Sequence, residues 1–126
     1  MKAVLIFLTA TTLFSCKINS NTHDLYGEWQ VKFADGTQGE ARFRKNGTHD
    51  YFMNGKMFSS GKSRFKNDTL QEFDPICTDF GNYYSTYKVN FMAGDSMQFT
   101  VIEDSCEPRR LGLDEGMFYR LKMQDK

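Results

Sequence analysis

Charge of one sign is what this chain most plainly lacks. Sixteen lysines and arginines face sixteen aspartates and glutamates, for a formal net charge of +0 at pH 7. The two signs are interspersed, and a nucleic-acid surface would instead show a basic stripe, so that class of partner is excluded. Histidine is scarce, with only His23 and His49, and the three cysteines fit no zinc spacing, so neither metal nor other cofactor is expected. No Ser-His-Asp pattern, glycine-rich phosphate loop or pair of carboxylates stands out, and the chain is not expected to be an enzyme. Long apolar runs are missing too. The longest, residues 3–14, falls short of the roughly 20 residues that a membrane-spanning helix needs. Nor does any apolar helical period compete with the strand pattern, apart from a single turn near residues 110–115.

What is present begins with an address. Lys2, the apolar run and Ser15-Cys16 follow the layout of a secretory signal. Leu13-Phe14-Ser15-Cys16 resembles the lipobox of bacterial lipoproteins, with leucine three residues and a small residue one residue before the cysteine. The resemblance implies that Cys16 is lipid-modified, becomes the first mature residue, and holds the protein to a membrane by buried acyl chains. An ordinary signal peptide with a chance cysteine is the alternative. The chain then divides into a signal peptide (1–15), a lipidated cysteine with a polar tether (16–24) and one folded domain (25–126). The tether has no acidic run, which favours a location in the bacterial cell envelope facing the periplasm. Taking Lys2 from the 16 basic residues leaves 15 against 16 acidic ones, a mature net charge of about −1. Cys77 and Cys106 remain as an even pair in an oxidising compartment and are expected to form a disulfide. Closing a loop of about 30 residues would contribute on the order of 3–4 kcal/mol in the chain-entropy model.

Turn residues divide the folded domain into eight strands, at residues 25–33, 39–45, 48–53, 58–66, 69–73, 83–92, 96–103 and 117–123. In the first, Leu25, Gly27, Trp29, Val31 and Phe33 share one face against Glu28, Gln30 and Lys32, the period of a half-buried strand. Inward parity in the rest selects Phe43, Tyr51, Phe65, Tyr83, Tyr87, Phe91, Phe99 and Tyr119, with Gly61, Ser63 and Ser85 as small inward residues. Sequential hairpins of this kind make an all-β, eight-stranded up-and-down antiparallel barrel, whose closure removes exposed edges. Connections two, four and six are tight, while one (34–38), three (54–57), five (74–82) and seven (104–116) are long. Alternate connections lie at opposite ends, so one end is closed and the other crowned by loops. Both Cys77 and Cys106 fall at the loop end.

Three elements in order resemble a known family. Gly27-Glu28-Trp29 resembles the Gly-x-Trp signature of lipocalins and related calycins. Phe43-Arg44-Lys45-Asn46-Gly47-Thr48 and Glu103-Asp104-Ser105-Cys106-Glu107-Pro108-Arg109 resemble later elements of the small bacterial lipocalin-like lipoproteins. The resemblance implies a calycin-type barrel in which an arginine of the last strand, here Arg120, packs on Trp29. Gly27, Trp29 and Arg120 are then structural.

The functional expectation is a small hydrophobic or amphipathic molecule bound in the mouth of a monomeric barrel. Its candidate contacts are Tyr51, Tyr83, Tyr87, Phe99, Arg109 and Arg110, with tyrosine hydroxyls fixing orientation and the arginines receiving an anionic head group. Each has a plainer reading: the aromatics fill a packed core without a cavity, and the arginines pair with Asp104, Glu107, Asp114 or Glu115 in their own loop. His49 reads as a core histidine. The rival class is a protein-binding module, an inhibitor of a lytic enzyme, acting through loops 74–82 and 104–116.

Overall fold

In a computed structural model, the protein is described at residues 24–80, 84–93, 95–114 and 116–122, and for residues 78–80 only by backbone. The signal segment, Cys16 and Tyr83 lie outside the described residues. Eight strands follow one another: β1 (Gly27–Lys32), β2 (Gln38–Phe43), β3 (Thr48–Met53), β4 (Lys56–Lys66), β5 (Thr69–Phe73), β6 (Ser85–Met92), β7 (Ser96–Glu103) and β8 (Met117–Arg120). Each pairs antiparallel with the next, and β8 returns to β1 through Trp29↔Arg120 and Gln30↔Tyr119, closing the barrel. A helix, α1 (Glu107–Leu113), lies between β7 and β8, and 3₁₀ turns span Pro75–Phe80, interrupted by extended backbone at Cys77.

The alternation expected in β1, β2, β6 and β7 is the alternation of burial, whereas in β3 Asp50, on the outward face, is buried beside His49 and Tyr51, held by Arg44 and Ser60. Trp29, Val31, Ala41, Phe43, Tyr51, Tyr87, Val89, Met97 and Phe99 form the core, and Phe65 and Phe91 pack against it. The last strand departs from expectation. Phe118 is 2% exposed and Tyr119 57%, the reverse of the inward face assigned from sequence. Pairing dictates this: residues directly opposite share a face, so Tyr119 follows outward Gln30, while Phe118 follows buried Met97.

The third connection is also not long. Asn54 and Gly55 adopt φ of 48° and 78°, the left-handed pair of a two-residue hairpin whose twist matches the strands it joins. β4 therefore starts at Lys56, and a register shift between Tyr51 and Phe52 absorbs Phe58 as an extra residue. Asn67-Asp68 makes a similar turn, with φ of 51° and 55°. Connections one, five and seven are long, as expected, and crowd the same end of the barrel. Seven residues of the last of these form α1, longer than the expected turn, with Pro108 in its first turn, where no amide bond is lost.

The opposite end is plugged. The Arg120 guanidinium lies 4.2 Å over the Trp29 ring and donates to the carbonyls of Tyr26 (2.8 Å) and Asp24 (2.6 Å). Trp29 itself donates from Nε1 to the Leu25 carbonyl at 2.8 Å. Gly27 lies beneath this arginine at φ +130°, where a Cβ would come within 2.8 Å of Nη1. The disulfide Cys77–Cys106, with Cα atoms 5.8 Å apart, joins the fifth and seventh connections at the mouth.

Candidate functional site

Beneath the loop-crowned mouth the barrel carries ionisable groups where apolar packing would be expected. Tyr51 and His49 come from β3, Glu72 from β5, Tyr87 from β6, and Arg109 from α1, while Asp74 and Asp104 stand just beyond the ends of β5 and β7. Each is less than a tenth exposed. Strand alternation explains the first four: Glu72 shares its face of β5 with fully buried Leu70. The loops explain the others. Asp74 lies three residues before Cys77, and Asp104 and Arg109 flank Cys106, so the disulfide draws both carboxylates and the arginine together. Backbone amides orient the two carboxylates further, with Ile76 N–H donating to Asp74 (3.3 Å) and Cys106 N–H to Asp104 (2.8 Å).

Arg109 is the hub. Its Nε and Nη2 each donate to Asp104 at 2.8 Å, a bidentate pair, and its Nη1 donates to Asp74 at 3.3 Å. Nε also lies 3.9 Å from Glu72 Oε1. Two tyrosines complete the set: Tyr51 donates to Glu72, and Tyr87 to Asp104. His49 Nε2 is 3.4 Å from Asp74 Oδ2 and 3.8 Å from Glu72 Oε2. Since carboxylates only accept, that bond requires the proton on Nε2. Among the described residues, His49 Nδ1 and Glu72 Oε1 are buried with no hydrogen-bond partner.

The charges respond to this crowding. Burial pushes the Glu72 carboxyl from 4.5 up to about 7, with Asp74 adding to the shift and His49, Tyr51 and Arg109 opposing it. Asp74 feels the same burial, yet the His49 hydrogen bond and Arg109 outweigh it and hold the group below its ordinary value. Burial, then the Glu72 carboxylate, raises Tyr51. Burial likewise raises Tyr87, joined by its bond to Asp104. For Arg109, desolvation is outweighed by Asp104, Glu72 and Asp74, and the guanidinium stays charged.

Above this floor opens a pocket of about 260 Å³. Val31, Phe33, Phe58, Ile76, Leu113 and Phe118 contribute apolar walls, and Tyr51, Asp74 and Arg109 reach it from below. Of the residues chosen from sequence, Tyr51 and Arg109 line it. Tyr87 and Phe99 are fully buried deeper in the core, and Arg110 is exposed on α1. Arg109 takes the plainer of its two readings, pairing with Asp104 in its own loop, although at the barrel's centre rather than its surface. Sequence reasoning passed over Glu72 and Asp74; the parity of Leu70, Glu72 and Asp74 was the available signal.

His49, Glu72 and Asp74 offer one donor atom each, all within 4.8 Å of one another. A mixed nitrogen and oxygen set of this kind suits a transition metal. The guanidinium of Arg109 already supplies positive charge to the same two carboxylates. No protein-family model, curated protein or solved structure matches the chain.

Proposed function

We propose that the protein is a lipocalin-like lipoprotein of the bacterial cell envelope, anchored through Cys16 and facing the periplasm, that binds a small apolar or amphipathic molecule in the mouth of its barrel. The observation that carries this reading is the pocket itself. It holds about 260 Å³ at the loop-crowned end, with apolar walls above a few convergent polar groups. That is the ordinary construction of a small-molecule site, in a volume slightly below the roughly 300–1,000 Å³ that drug-sized ligands occupy. Trp29 and Arg120 belong to the plug at the other end, so the binding reading rests on Tyr51, Asp74 and Arg109 and not on the family-like signature. The role is one of binding rather than catalysis, by a monomer that takes no nucleic acid.

Native mass spectrometry of residues 17–126, exported to an oxidising compartment and purified without detergent, tests the reading. A retained small molecule that dissociates on denaturation is the expected result, and an oxidised but empty protein with no affinity for apolar probes refutes it. Replacing Cys16 with serine should release the protein from the membrane; continued attachment would refute the lipid anchor. One observation favours a second reading, a protein-binding module acting through loops 74–82 and 104–116: Leu111, on the pocket rim, is 69% exposed. Deleting residues 78–80, which leaves Asp74, Ile76 and Cys77 in place, should abolish such an interaction and spare a ligand held in the barrel.

A further inference from the structure

The sequence offered Arg109 as a receptor for an anionic head group, and its surroundings argue for the opposite charge. All three guanidinium nitrogens are engaged, Nε and Nη2 by Asp104 and Nη1 by Asp74. A ligand carboxylate would have to displace a buried, disulfide-held carboxylate from that cation. Among the described residues, the other charged side chains lining the pocket are Asp35, Glu40 and Asp74, so carboxylates outnumber basic groups three to one. Just below, Glu72 adds a further carboxyl whose Oε1 is fully buried with no hydrogen-bond partner. The Tyr51 hydroxyl gives its proton to Glu72 and turns only lone pairs towards other neighbours. Among the described residues, the carboxylates and the Tyr51 oxygen make the polar groups that reach the pocket mainly acceptors, with the aromatic faces of Phe33 and Phe118 close by.

Resting on the binding function proposed above, we infer that the pocket is selective for amphiphiles whose polar end is a protonated amine, seated on Asp74 and Tyr51 with the acidic rim of Asp35 and Glu40 around it and the alkyl or aryl body against the apolar walls. An anionic amphiphile of the same length meets the carboxylates of Asp35, Glu40 and Asp74 and an arginine already held by Asp104 and Asp74. A neutral one gains the apolar contact alone.

The experiment compares octylamine, octanol and octanoate, below their aggregation concentrations at pH 7, by calorimetric titration of the oxidised full chain carrying Cys16→Ser, so that no acyl chain competes. Octylamine is expected to bind at least tenfold more tightly than octanoate, with octanol between. Asp74→Asn should lower octylamine affinity tenfold or more. Because that change also disturbs the Arg109 network, a second variant, Asp35→Asn with Glu40→Gln, alters only the rim and should shrink the amine-to-carboxylate ratio several-fold without changing octanol binding. Equal or tighter binding of octanoate, or equal binding of octanol and octylamine, overturns the charge selectivity while leaving a binding pocket. Failure of all three probes overturns the pocket as a ligand site altogether.

Discussion

Replacing Glu72 with glutamine probes the barrel interior through its pH dependence. Glu72 is fully buried and its carboxyl is raised from 4.5 to about 7. A group raised on folding stabilises the folded state most when protonated in both states. Its contribution is complete below about 4.5, falls as the pH rises, and is lost above about 7. At about 1.4 kcal/mol per pH unit across that window, the loss amounts to about 3 kcal/mol. Glutamine has nearly the same shape and cannot ionise, so the variant lacks this slope. Its amide donors find Arg109 and His49 where acceptors are needed, which costs about 1 kcal/mol at every pH. The variant should therefore be slightly less stable than the parent at pH 4.5 and about 2 kcal/mol more stable at pH 8, with the two curves crossing in between. Trp29 is the single tryptophan and is 1% exposed, so urea unfolding followed by its fluorescence reads both proteins with one probe. A stability difference that does not change between pH 4.5 and 8, or a variant less stable at pH 8, would refute the reasoning.

Arg109→Ala removes the cation that three buried carboxyls share, and should cost about 3–5 kcal/mol at pH 8, with part of the loss recovered in acid as carboxylates protonate; urea titrations at the two pH values check both statements. Phe118→Ala should lower stability by about 3–5 kcal/mol, while Tyr119→Ala stays within about 0.5 kcal/mol, and the reverse order would place the wrong face of β8 inward. Gly61→Ala should cost about 2 kcal/mol or more by chemical denaturation, since a Cβ there would lie 2.0 Å from the Phe73 carbonyl oxygen. Arg120→Ala, which removes the cation–π stack and two hydrogen bonds at the closed end, should cost about 2 kcal/mol and leave octylamine binding unchanged, as befits a plug remote from the pocket.

Much of the barrel was written in local pattern. Alternation along residues 25–33 and 83–92 and the turn signals at Asn46-Gly47 and Asn67-Asp68 depend only on neighbours in the chain, because a strand's period and a turn's backbone are properties of a few consecutive residues. The bridge between Cys77 and Cys106 followed from counting, since two cysteines in one small domain leave one pairing. What the chain alone did not decide was register. β8 has four residues, too few for its own alternation to outvote an error, and its inward face was set by the ladders to β1 and β7. The same holds for the buried charges. Asp104 and Arg109 are neighbours in sequence, but Asp74 is 35 residues from Arg109 and Glu72 faces His49 and Tyr51 across the barrel. Only closure of the sheet, with the disulfide holding two loops together, brings three carboxyls around one arginine. The burial that raises Glu72 and leaves the pocket floor rich in acceptors is a property of that enclosure, which no stretch of sequence contains.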